Sequence, residues 1–188
     1  YAALNDNTTG ERNTASGYAA LFNNTTGIRN TASGTDALFN NTGGNENTAS
    51  GYQALFSNTS GQQNTAGGAY ALKYNTTGDQ NTASGTYALL DNTTGSKNVG
   101  LGFEALRSNV GGGYNTAIGY KSLRFNTAGY RNTAVGNGAL YKNGANNNTA
   151  VGNGALYENT DGVGNSASGN FALESNTTGS YNTAHGDN

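Results

Sequence analysis

The 188-residue chain contains no cysteine, no proline, no methionine and no tryptophan. Without cysteine there is no disulfide framework and no thiolate metal site, although the compartment is left open. Only 11% of residues are charged, and the formal net charge is −2. Such a chain has no basic stripe with which to neutralise phosphates, so nucleic acid is not an expected partner. No apolar run approaches the roughly 20 residues needed to span a bilayer, so no membrane partner is expected either. No leader segment is visible, and the sequence begins and ends inside a repeat, which reads as a stretch of a longer polypeptide.

What is present is repetition. Hydrophobic residues make up 34% of the chain and there are 30 glycines, a composition that on its own suits disorder. Against that stands a strict period. The unit N-T-A-x-G-x-x-A-L-x-x-N-T-T-G-x-x starts at Asn13, Asn30, Asn47, Asn64, Asn81, Asn98, Asn115, Asn132, Asn148, Asn165 and Asn182. Every spacing is 17 residues except the one from Asn132, which is 16, with its deletion near Gly144-Ala145. A fixed short period marks a stacked array.

The columns divide cleanly. Position 1 is always Asn, position 5 always Gly and position 12 always Asn. Position 3 is Ala except at Gly100, and position 8 is Ala except at Ser122. Position 9 is always Leu, which names the expected core: Leu21, Leu38, Leu55, Leu72, Leu89, Leu106, Leu123, Leu140, Leu156 and Leu173. Every charged residue falls at position 6, 7, 10, 11, 14, 16 or 17. An unpaired charge is costly to bury, so the charge-free columns form the inside and the turns.

Positions 1 to 5 alternate with period two and predict a short strand. A second short strand is expected over positions 8 to 11, around the Leu. Gly at position 15 follows a turn signal and is expected to supply a positive φ. The period is too short for helical repeats. The expected fold is therefore all-β: a parallel β-solenoid of about 17 residues per coil, two short strands per coil and roughly eleven coils, continuous over 1–188 as a single unit. At about 4.8 Å per coil the rod would be roughly 50 Å long. Stacked Asn columns can pass amide hydrogen bonds along the axis. The expected ladders are Asn13, Asn30, Asn47, Asn64 and Asn81 at position 1, and Asn24, Asn41, Asn58, Asn75 and Asn92 at position 12. One Leu per coil, contributing about 2 kcal/mol, is a lean core against a backbone entropy of about 1–2 kcal/mol per residue. That imbalance points to bundling with further copies, such as a trimer.

No catalytic residue is assigned. His185 is the only histidine and occupies a variable column. Gly100-Leu-Gly-Phe-Glu-Ala matches a dinucleotide fingerprint in letters only, because its glycines are repeat positions and no βαβ unit surrounds them. No cofactor and no metal site is expected. Sequons mark candidate glycosylation at Asn7, Asn24, Asn58, Asn75, Asn92 and Asn176, and they also occur at Asn23, Asn40 and Asn147. Thr holds position 2 in nine copies, which allows an ice-binding face or simply reflects strand preference. Tyr and Phe crowd the variable columns and suggest contact with a sister chain, a glycan or a host surface. Position 4 turns apolar at Leu101, Ile118, Val135 and Val151, the candidate seam between chains.

Units such as N-T-A-I-G-Y-K-S-L-R-F-N-T-A-G at 115–129 and N-T-A-V-G-N-G-A-L-Y at 132–141 resemble the N-T-A-x-G-x-x-A-L repeats of bacterial and viral tail-fibre-type proteins. They are similar, more distantly, to the head repeats of YadA-like trimeric autotransporter adhesins. The resemblance covers the whole chain. It implies a left-handed parallel β-roll, trimeric assembly and a sticky surface displayed outside the cell, with no catalytic residues. The expectation is a non-enzymatic structural and adhesive fibre segment, extracellular, on the cell surface or on a virion. Its partner is itself, as a homotrimer or an end-to-end filament, with a glycan or host surface as a further one. A self-assembling, glycosylated filament is the alternative, and an ice-binding solenoid the third.

Overall fold

The computed structural model describes residues 2–187 and is all-β, a parallel β-solenoid. One strand per repeat is stacked in chain order: β1 (Thr14–Ser16), β2 (Thr31–Ser33), β3 (Thr48–Ser50), β4 (Thr65–Gly67), β5 (Thr82–Ser84), β6 (Val99–Leu101), β7 (Thr116–Ile118), β8 (Thr133–Val135), β9 (Thr149–Val151), β10 (Ser166–Ser168) and β11 (Thr183–His185). Every neighbouring pair is parallel and in register with the repeat, so Ala32 pairs with Ala49 and Ala49 with Ala66. The 16-residue unit does not slip the register, since Ala134 still faces Ala150.

Each strand is only three residues long, narrower than the alternation of positions 1 to 5, and lies between the left-handed residue of position 17 and the Gly of position 5 with φ near +134°. The Ala of position 3 points inward and its two neighbours outward, as in β2 and β3. The expected second strand does not form. Ala at position 8 and Leu at position 9 are both fully buried, for example Ala54 and Leu55. Adjacent residues of a strand cannot face the same way. The backbone solves this by changing hand. Each Leu of position 9 adopts a left-handed conformation, with φ between 49° and 53°. Position 7 is also left-handed, as at Gln53, Tyr70 and Lys121. The segment closes as two tight turns, with Ala54 N–H donating to Gly51 O (3.3 Å) and Asn58 N–H to Leu55 O (3.2 Å). It nevertheless keeps axial bonding: Leu55 N–H donates to Ala71 O at 3.0 Å and Ser57 N–H to Lys73 O at 2.9 Å.

The glycines also differ from expectation. Position 5, not position 15, takes the unusual φ, near +134° at Gly17, Gly34 and Gly169. Position 15 is Gly for space. A Cβ on Gly44 would collide with Asn41 Oδ1, the Gly61 carbonyl and Asn58 Nδ2. In the shortened unit Ala145 stands at this point, and the turn after Asn143 is one residue tighter, so that Asn143 Nδ2 reaches Ala145 O at 2.8 Å.

The core is a single axial column of Leu flanked by two columns of Ala. Leu21, Leu38, Leu55, Leu72, Leu89, Leu106, Leu123, Leu140 and Leu156 are fully buried, and Leu173 is partly buried against the same cluster.

Candidate functional site: inner ladders and outer columns

Two Asn columns run the length of the rod, and each residue does three jobs. At position 12, Asn41 Nδ2 donates to Asn24 Oδ1 (2.8 Å) and to the Gly44 carbonyl of its own turn (3.0 Å), while Asn41 Oδ1 accepts from Asn58 Nδ2 (2.8 Å). The same pattern continues through Asn75 and Asn92. At position 1, Asn47 Nδ2 donates to Asn30 Oδ1 (3.1 Å) and to the Gly61 carbonyl (2.8 Å), and Asn47 N–H also donates to Asn30 Oδ1 (2.9 Å). Asn64 and Asn81 repeat these contacts, and Asn13 begins them, its Oδ1 accepting from Asn30 N–H. Each full-length turn therefore gathers two Asn side chains onto one glycine carbonyl. Position 13 adds a third rail, with the Thr25 hydroxyl on Thr42 O at 2.9 Å and the Thr76 hydroxyl on Thr93 O at 3.0 Å.

This geometry corrects the glycosylation sites. Asn24, Asn58, Asn75 and Asn92 are fully buried, and both hydrogens of each amide are already donated inside the coil. A sugar on that nitrogen would remove a ladder bond and has no space. Asn7 is exposed and Asn176 half-buried, though Asn176 makes both ladder contacts.

The outer columns carry the variable residues. Thr at position 2 and the residue at position 4 face outward from the strands, and Thr14, Thr31, Thr48 and Thr65 are exposed. Leu101, Ile118, Val135 and Val151 lie on consecutive strands in direct register. Ile118 is 39% and Val151 43% exposed, and the other two are half-buried. His185 is exposed on β11.

On the turn side the aromatic rings form separate axial runs. Phe22, Phe39 and Phe56 stack nearly parallel, 5.3 and 5.2 Å apart. Tyr70 stacks on Tyr87 and Phe103 on Tyr120, with perpendicular junctions at Tyr52–Tyr70 and Tyr87–Phe103. Farther along, Tyr141 stacks on Tyr157 at 4.6 Å.

Beside these runs sits a charge cluster that column statistics did not reveal. Glu104, largely buried, accepts from Arg107 (2.9 Å) and Arg124 (2.8 Å), with Lys121 at 3.9 Å. Arg124 lies over Phe125 and Tyr141, Arg107 over Tyr87, and Lys121 over Tyr120. The Arg107 Nε is buried without a partner. Burial pushes the nearby Asp91 carboxyl up, opposed by Arg107, a hydrogen bond from Ser108 and Arg124. The sequence signal for the cluster was the run of cations at position 10 and position 7 in successive units, each harmless alone.

Among the described residues no cavity is present, no group of three or more His, Cys, Asp or Glu could hold a metal ion, and no helix is long and apolar enough to cross a membrane. Compared with known protein families, curated proteins and solved structures, the chain matches none.

Proposed function

We propose that the chain is a non-enzymatic segment of a fibre, structural and adhesive, working outside the cell or on a virion. One observation carries this reading. The same axial hydrogen bonds recur at successive coil steps, while sequence variation is concentrated in the outward columns. That division of labour suits a rod that holds length and displays side chains. The resemblance to tail-fibre-type repeats and to adhesin heads supports the same reading. The partner is a second copy of the chain, as in a trimer, meeting along Leu101, Ile118, Val135 and Val151, whose exposed and half-buried apolar side chains form an uninterrupted row.

A second reading, an end-to-end filament, draws on the translational sameness of the coils. Each coil meets the next through a head-to-tail surface that does not close on itself, and such surfaces generate filaments. Light scattering with chemical cross-linking, together with electron microscopy of the purified protein, tests both. Rods in closed bundles support the first reading and open-ended polymers the second. A strictly monomeric, non-rod particle at high concentration overturns both.

A further inference from the structure

We infer that the turn-side edge between Tyr52 and Tyr141 is a binding strip for an anionic polysaccharide lying along the rod axis. The inference rests on the adhesive reading above and names its ligand class. Charge is unevenly placed along the chain. Residues 64–147 carry seven Lys or Arg against three Asp or Glu, while residues 148–188 carry four acids and no Lys or Arg. On the turn side of that middle stretch, Lys73, Arg107, Lys121 and Arg124 face only two carboxylates, Asp91 and Glu104. Three cations share Glu104, so the carboxylate does not neutralise them, and Arg107 Nε has no acceptor.

The cations are interleaved with rings. Lys73 sits 5.2 Å from the Tyr70 ring centre and 5.0 Å from that of Tyr74. Lys121 lies 4.7 Å from Tyr120 and Arg124 4.5 Å from Phe125. Tyr52, Tyr74, Phe103, Tyr120 and Phe125 are all exposed. With no cavity among the described residues, a small ligand has nowhere to be enclosed. A polymer is different. It gains affinity by repeating weak contacts along successive coils, each engagement raising the effective concentration of the next.

Anionic sugar fits better than nucleic acid. Base recognition needs free ring faces on which to stack. Here several faces are occupied by neighbouring rings, as in Tyr70–Tyr87 and Phe103–Tyr120, or by Arg107 and Lys121. The strip presents the exposed Tyr52, Tyr74 and Tyr120 with the partly exposed Arg107, Lys121 and Arg124 beside them, and hydroxyls with cations suit sugar hydroxyls and carboxylate or sulfate groups.

The test is binding of the full chain to immobilised polygalacturonate, heparin, neutral dextran and poly(dT), in low and high salt. The inference expects polygalacturonate and heparin to be retained, dextran not, with affinity falling at least about tenfold as salt rises. The double variant Lys73→Glu/Lys121→Glu should lose about tenfold or more of the remaining affinity, as charge-neutral Lys73→Gln/Lys121→Gln should in smaller measure, both with unchanged circular dichroism. Lys97→Glu, at position 17 against Tyr114, should bind as the parent does. No retention of either acidic polysaccharide at low salt overturns the inference. So does equal loss in Lys97→Glu, or tighter binding of poly(dT). These outcomes leave the adhesive rod standing, because that reading falls only if microscopy and scattering find no rod or assembly.

Discussion

At the scale of single residues, the backbone of this protein is held in unusual conformations by what it touches. Three positions per full coil are left-handed, and most of them are not glycine. A left-handed L-residue costs roughly 1–2 kcal/mol, which the axial hydrogen bonds must offset. At exposed left-handed positions glycine should therefore help; the chain itself carries glycine at the left-handed Gly138, Gly154 and Gly164. Gln63→Gly is expected to stabilise by up to about 1 kcal/mol, once the extra chain entropy of glycine is deducted; chemical denaturation measures it. At position 9 the outcome reverses. Leu89 is fully buried in the core column, and Leu89→Ala should cost about 2–5 kcal/mol through the cavity it leaves. Asp91 offers a pH test. Its carboxyl is raised chiefly by burial, so the folded chain binds that proton more tightly than the unfolded chain. The stabilising share of protonated Asp91 is present at low pH and is lost as pH rises through the raised folded value. Asp91→Asn should remove this component and raise the melting temperature slightly at neutral pH.

At the scale of the element, the unit is one strand and a set of turns locked by amides. In the turn of positions 12 to 15 each Asn both closes its own turn and bonds the coils on either side. Asn58→Ala should leave Asn41 Oδ1 and one hydrogen of Asn75 Nδ2 buried without partners. The expected cost is about 1–3 kcal/mol per orphaned group, read from the midpoint of urea unfolding. Substitution at the exposed Thr48, which holds no ladder, should change little by the same measurement. The same geometry predicts that glycopeptide mass spectrometry of folded protein from a glycosylating host finds Asn24, Asn58, Asn75 and Asn92 unmodified. Occupied sites there would mean that the Asn ladders are open in the folded protein.

At the scale of the whole molecule, repeated coils make a rod with a Leu and Ala core and Asn ladders inside and a mixed surface outside. The rod has a strand side that carries no Lys, Arg, Asp or Glu at positions 2 and 4 among its described strands. Association across this side would be centred on the apolar row. Ile118→Lys with Val151→Lys places two charges in that row without touching the core. Cross-linked oligomers should fall several-fold while the circular dichroism stays the same; unchanged oligomers would move the contact to another face.

The linear pattern alone determined the stacking. A 17-residue period with one 16-residue unit, an unbroken Leu column and charge-free Asn and Gly columns point to a coil laid on a coil, in register, because an offset would take Leu off Leu and Asn off Asn. The strand of positions 1 to 5 was legible too, since alternation is visible in letters. Tertiary structure decided the rest. Ala and Leu at adjacent positions read as a short strand, yet both must point inward, and only a change of backbone hand achieves that. The glycine of position 15 read as a turn residue, yet it is small because two Asn side chains and the next coil's carbonyl crowd it. The meeting of Glu104 with Arg107, Lys121 and Arg124 was hidden for a different reason. Variable columns look independent along the chain, and only stacking brings residues 17 apart to within one hydrogen bond.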